Sequence, residues 1–321
     1  MRLRPSIKVV LPIESKKKVG LLWQDGSRCY PTSVYDMTDP AGKDLVIIKR
    51  LADHLNEALS RYENDWVGIF LQGSQNYGID TEDSDVDSTI IILPTLKELI
   101  NGDMPISETI HLENGEHCEV KDIRLIFKIF LKQNINALEI LATRWKIMNP
   151  QYEDDFNPLC WHVDLIARYD RDRFVNGLMG MMYNNKNRMT NPTPLREAKI
   201  GEYGYDGKCL CNMDRMYEFF TRFILDGEPF KSCLISNKKE LLLAAKAQRY
   251  TLDCAMVTAE ALMEEMCAQR AELKKLDEMS PQYNSEEIRK RVEQLLDDAL
   301  EFIMCKYLRE ALNISDGRLG E

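Results

Sequence analysis

Short apolar runs dominate the first half of the chain, and long helix-periodic stretches dominate the second. Ile7 to Ile13 reads as a strand. Lys18 to Trp23 and Arg28 to Val34 flank Asp25-Gly26, which predicts a β-hairpin with DG as its turn. Asp44 to Asn64 is predicted as a helix, because Ile47, Ile48, Leu51, Leu55 and Leu59 recur at steps of three and four on one stripe. Val67 to Leu71 is an apolar run ending in Gly73-Ser74, and Thr89 to Ile92 is a β-branched run. The pair predicts strand, polar loop, strand.

Beyond Leu93, Pro94 breaks the strand and Leu96 to Ile100 forms a short helix. Asn114-Gly115 marks a turn, His117 to Ile123 the next strand, and Arg124 to Gln133 a helix. Asn134-Ile135-Asn136 turns into a helix over Ala137 to Trp145, whose Glu139 sits among apolar residues and reads as a group that caps or orients a neighbour. The polar, Pro-containing stretch from Asn149-Pro150 to Asn157-Pro158 sets a boundary between a domain at 1–150 and a helical domain at 151–321. Leu159 to Tyr183 reads as helix, with Met179, Met181 and Met182 as core packing, and Asn184 to Thr193 as a loop. Lys238 to Leu273 and Glu286 to Leu312 are expected to form an antiparallel helical pair.

Composition narrows the class. The 321 residues are 44% hydrophobic and 29% charged, as in an ordinary globular protein with room for two domains. No apolar run reaches membrane-span length, and the N-terminus lacks the apolar core of a signal peptide. Nine Cys without CxxC pairs predict reduced thiols and a cytoplasmic location. Cys209-x-Cys211 has no partner pair, and His54, His111, His117 and His162 show no ligand spacing. A net charge of −10 argues against a broad basic surface for nucleic acid while leaving room for a local basic groove. Lys16-Lys17-Lys18 reads as a solvated edge, with a phosphate-contacting patch as the sharper alternative.

The chemistry concentrates in Trp66 to Leu93, WVGIFLQGSQNYGIDTEDSDVDSTIIIL. On a strand, Asp85 and Asp87 share a face and Val86 points to the core. Two adjacent carboxylates repel unless a cation or proton lies between them, and hard oxygen ligands suit Mg²⁺ or Mn²⁺. Gly73 lets backbone approach a phosphate. Ser74 offers a hydroxyl and an N–H, the more so if a helix begins there.

Gly73, Ser74, Gly78, Ser84, Asp85 and Asp87 together resemble the G-S-x-x-x-G … S-D-x-D signature of the DNA polymerase β-like nucleotidyltransferase superfamily. Tyr77 before Gly78 resembles its bacterial and phage branch of RNA-repair-type nucleotidyltransferases. The resemblance covers roughly 66–141, with a weaker echo near Lys208. It implies an α+β fold, an α/β nucleotidyltransferase core with a mixed sheet, here followed by the helical C-terminal domain. It also implies a third metal-binding carboxylate on the strand at 117–123. Glu119 and Asp122 are the candidates, and three-residue spacing puts them on opposite faces. Alignment of LKQNINALEIL (131–141) favours Glu119, where the family usually has Asp. Asp122 then becomes the cap of the following helix. Gly204 to Arg222 resembles a second family element, in which Lys208 and Arg215 match and Asn212 replaces a His. On a helix the three share one face, suited to triphosphate oxygens.

The resemblance therefore implies transfer of a nucleoside monophosphate from an NTP to an acceptor hydroxyl. Asp85, Asp87 and Glu119 would be catalytic and metal-binding, and Gly73, Ser74, Lys208 and Arg215 nucleotide-binding. The acceptor is open, with an RNA end among the candidates and no membrane partner. The alternatives are nucleotidylation of a small molecule or protein, and a degenerate nucleotide-binding or toxin–antitoxin module.

Overall fold

In the computed structural model the described residues are 7–10, 19–23, 29–32, 42–82, 84–194, 197–279 and 286–312. Three short strands come first: β1 (Ile7–Val10), β2 (Val19–Trp23) and β3 (Cys29–Thr32). They form an antiparallel sheet in that order. The expected DG turn and Lys16-Lys17-Lys18 lie outside the described residues.

The predicted stripe is real. Ile47, Ile48, Leu51, Leu55 and Leu59 are all buried on helix α1 (Lys43–Arg61). They cover one face of a five-stranded sheet built from β4 (Trp66–Gln72), β5 (Asp87–Ile92), β6 (Ser107–His111), β7 (His117–Asp122) and β8 (Lys146–Met148). The order is β6-β7-β5-β4-β8. β5 and β7 run parallel, and the other neighbours run antiparallel. β4 is an interior strand buried on both faces, so it reads as a continuous apolar run without alternation. The fold is mixed α+β with a helical C-terminal region.

Between the strands lie α2 (Leu96–Asn101), α3 (Ile123–Leu131) and α4 (Ile135–Ala142). Thr95 and Glu98 start α2 with a reciprocal capping box. Two strands were not foreseen. β6 is an exposed edge, and β8 has only three residues. The helix expected over Ala137 to Trp145 stops at Ala142. Thr143 turns extended there, and Gly68 and Ile69 of β4 pair with Met148 and Ile147, a ladder that a helix would forfeit.

The second sheet face and the C-terminal helices share one apolar cluster, from Val67, Phe70 and Ile91 to Ile303. The helices are α5 (Glu153–Trp161), α6 (Val163–Ala167), α7 (Arg171–Met189), α8 (Glu197–Tyr203), α9 (Gly207–Phe219), α10 (Phe230–Leu234), α11 (Lys239–Lys246), α12 (Leu252–Met279) and α13 (Glu286–Ala311). A π-helical turn, Phe220–Leu225, prolongs α9.

Three expectations need correction. Leu159 to Tyr183 is not one helix: the Asp170 side chain accepts from Arg173 N–H and starts α7 afresh. Asn184 to Thr193 is a loop only from Thr190 on, because α7 runs to Met189, which is fully buried and anchors the last turn. The long C-terminal helices do not pack along each other: α12 lies against α7 and α9, and α13 against α5. Met182 is buried in the core, with Met179 and Met181 packed against it. Among the described residues no cysteine is paired, and no helix is long and apolar enough to cross a membrane.

Candidate active site

β4 ends at Gln72, and the chain turns at once. Gly73 has φ +92°, a left-handed conformation that favours glycine. A Cβ there would lie 3.4 Å from Asp87 Oδ2, so that carboxylate abuts the backbone of the turn. Asn76 N–H donates to Gly73 O (3.0 Å) and Ile79 N–H to Ser74 O (3.1 Å). The segment is a turn with no helix starting at Ser74. Gln75 Nε2 donates to Asp85 O at 2.7 Å and ties this turn to the acidic loop.

β5 begins at Asp87, and Asp85 stands in the loop just before it. Val86 is buried between the two exposed aspartates, as alternation requires. Glu116, itself buried, holds this loop from behind. It accepts from Val86 N–H, His54 Nε2 (2.9 Å), Asn114 Nδ2 (2.7 Å) and Arg50 Nε (3.1 Å). His54 Nδ1 also lies 2.9 Å from Ser88 Oγ.

The parallel register pairs Thr89 with Glu119 and Ile92 with Asp122. Glu119 therefore shares the face of Asp87 and Thr89, and Asp122 takes the opposite face. Asp122 is fully buried, caps α3 by accepting from Arg124 N–H at 2.8 Å, and holds the Arg124 guanidinium. Glu119 lies 3.4 Å from Lys121 Nζ. The same parity brings in His117, whose Nδ1 is 3.9 Å from Asp87 Oδ1.

Facing the sheet is α9, begun by Asp206, whose side chain accepts from Lys208 N–H. A Cβ on Gly207 would come within 2.1 Å of Ala245 O, so α9 meets the end of α11 with backbone against backbone. Lys208, Asn212 and Arg215 do fall on one face and line a cavity of about 900 Å³ shared with Gly73, Ser74, Asp85, Asp87 and Glu119. All seven residues singled out as a site thus meet around one space. Lys121, Arg188 and Lys246 add cationic side chains to its wall. Lys246 Nζ donates to Ile79 O at 3.1 Å.

Arg215 is 5% exposed, its guanidinium 3.7 Å from the centre of the Tyr77 ring, and its Nε has no hydrogen-bond partner. Beneath lies Glu139, 1% exposed. It accepts from Gly73 N–H (2.8 Å), Asn76 Nδ2 (2.6 Å) and the Tyr77 hydroxyl. Gly73 N–H is therefore committed to Glu139, while Ser74 lines the cavity with its hydroxyl 3.5 Å from Gln75 Oε1. Burial pushes Glu139 up to about 6, against the pull of its donors and of Arg215.

Sequence reading flagged Glu139 through its place in an apolar helix. It missed Glu116, His117, Lys121, Arg188 and Lys246. Lys121 and His117 left a trace, their parity with Glu119.

Burial raises the Asp87 carboxyl above the usual range; Lys208 and His117 oppose this, and the charges of Asp85 and Glu116 add to it. Asp85 and Asp87 fit a divalent cation: hard oxygens, water-accessible, with a repulsion that a cation would relieve. Among the described residues no three His, Cys, Asp or Glu side chains are gathered to hold an ion.

No family model matches the chain, and no curated protein matches it in sequence. Among solved structures, a nucleotidyltransferase-like protein from Exiguobacterium sibiricum 255-15 aligns over 81% of this chain and 91% of its own, at 11% identity and a TM-score of 0.25. A likeness that distant leaves the family of this chain open.

Proposed function

We propose that the chain is a metal-dependent nucleotidyltransferase, moving a nucleoside monophosphate from an NTP to an acceptor hydroxyl. One observation carries this reading: Asp87 abuts the Gly73-Ser74 turn in a cavity that Lys208 and Arg215 of α9 also line. Carboxylates for a cation and cations for a triphosphate thus share one space. The acceptor oxygen bonds to the α-phosphorus, the bond to the bridging oxygen of the β-phosphate breaks, and pyrophosphate leaves.

Asp85 and Asp87 would hold Mg²⁺ or Mn²⁺, with Glu119 as the third carboxylate on the same face. When bound, the cation supplies charge neutralisation at the phosphates. Glu119 takes the proton of the acceptor hydroxyl. Ser74 donates to the β- and γ-phosphates from the turn, and Lys208 and Arg215 neutralise them from α9.

The acceptor class decides between modification of an RNA end and nucleotidylation of a protein or small molecule. Incubation with each α-labelled NTP, Mg²⁺ or Mn²⁺, and separate pools of RNA, protein and metabolites shows where label goes. Label transfer lost in Asp87→Asn supports the reading. Transfer that persists in Asp87→Asn, or no transfer to any pool, overturns it.

A further inference from the structure

Arg215 poses an electrostatic problem. Its guanidinium is buried, yet among the described residues no carboxylate forms an ion pair with it, and its Nε is unpartnered. A charge in that position is costly unless something nearby balances it. The balancing charge sits one aromatic ring away. Glu139 is held under Tyr77 by the tyrosine hydroxyl, and Arg215 lies over the face of the same ring. A direct Glu139–Arg215 ion pair would satisfy the guanidinium and close it to ligands. With Glu139 at the hydroxyl end of the ring and Arg215 on its face, the attraction persists while the donors of Arg215 stay unused.

Glu139 also fixes the turn. Its Oε1 receives Gly73 N–H and Asn76 Nδ2, and Asn76 Oδ1 accepts from Thr143 Oγ1 at 2.7 Å. One buried carboxylate therefore sets the turn beside Asp87 and acts on the cation stacked upon that turn.

Resting on the nucleotidyl-transfer reading, we infer that Glu139 is a positioning residue for the triphosphate, with Tyr77 as the spacer that keeps Arg215 balanced but unpaired. Glu139 touches no reacting atom. Its effect is on nucleotide affinity through Arg215, and the rate at saturating nucleotide depends on it far less.

The test is a double-mutant cycle on NTP binding and turnover with Glu139→Gln, Arg215→Ala and the combined variant. Glu139→Gln removes the charge and keeps oxygen and shape. The NTP dissociation constant and KM are expected to rise roughly tenfold, the scale of one charge-assisted contact, with kcat changed far less. In the Arg215→Ala background the same change is expected to add little, because the partner it acts through is gone. Glu139→Asp, which restores the charge, should recover part of the affinity. Tyr77→Phe keeps the ring and deletes the hydroxyl, and serves in the same cycle should Glu139→Gln not fold. Additive losses in the cycle, or a fall in kcat with KM unchanged, overturn the inference. Wild-type protein that binds no NTP overturns the nucleotidyl-transfer reading and this inference with it. Wild-type and Glu139→Gln proteins that bind NTP equally well overturn this inference alone.

Discussion

Glu116 and Glu139 do the same mechanical work in opposite electrical settings. Each is 1% exposed, and each accepts a backbone N–H from a loop that carries candidate site residues: Val86 between the two aspartates, and Gly73 in the turn. Glu116 has cationic company. Burial works to raise it, but the Val86 N–H, His54 and the Arg50 guanidinium at 2.5 Å hold it below the usual carboxylate range. Glu139 has neutral donors in contact, and Arg215 acts on it from the face of the Tyr77 ring without touching it, so burial wins and it rises to about 6. The contrast separates two ways of keeping a loop in place. A fully paired carboxylate is a fixed support across the neutral range. A shielded one stays on the edge of protonation and leaves its cation available.

Removing the chemistry while sparing both glutamates is expected to have the largest effect. Asp87→Asn should lower label transfer by roughly a hundredfold or more, with a melting temperature unchanged or raised because the repulsion with Asp85 is gone. Full activity in that variant would leave both glutamates supporting loops with no chemistry to support.

Glu116→Gln breaks the fixed support. Arg50 and His54 lose their charge partner, at a cost of about 1–3 kcal/mol in denaturant titration at pH 7, the lower part of the buried-pair range because Arg50 is partly exposed. The sign with pH follows from a depressed carboxylate. Its stabilisation is present above the ordinary value of 4.5 and lost as pH falls through the lower folded value. The acid-induced loss should therefore shrink in Glu116→Gln.

Glu139→Gln should do the reverse. A carboxylate raised in the fold binds its proton more tightly there. Its stabilisation is full below the ordinary 4.5 and is lost as pH rises through about 6. Wild-type stability should fall across that window. In Glu139→Gln the curve should be flatter. Tyr77 and Arg215 face this carboxylate from the turn and from α9. Parallel curves for the two proteins would show that Glu139 does not titrate as described.

The smallest effect is a control. Asp122 is a third buried carboxylate, and its work is to cap α3 and hold Arg124. Asp122→Ala should cost about 1 kcal/mol in thermal or denaturant unfolding and leave turnover in place. Loss of turnover with the fold intact would make Asp122 the functional carboxylate in place of Glu119.

What could be read from the sequence was what depends on local spacing. The α1 stripe, the two strands around the acidic loop, the Asp122 cap and the shared face of Lys208, Asn212 and Arg215 all follow from periods of 3.6 and 2. What escaped depends on distant pairing. β6 has a single buried residue, Ile110, so it carries no alternation to detect, and β8 is too short to show any. The tail of α7 hides behind its Asn residues, which score as loop formers until a buried Met189 fixes them in a helix. Glu116 lies 30 residues from Val86 along the chain, and Glu139 lies 66 from Gly73. Glu139 stands out by its place in an apolar helix, but nothing near either glutamate names a partner that far along the chain.

The missing side chain at Gly207 constrains how the cavity can move. With α9 seated on the carbonyl of Ala245, Lys208 and Lys246 ride on a single joined piece, each anchored within a residue or two of the contact. While that contact holds, a shift of α9 away from the cavity carries the backbone of Lys246 along with that of Lys208. Release of an anion from this wall would then be all-or-none. A methyl group at position 207 would act as a wedge, splitting the piece in two and turning one concerted step into separate, partial ones.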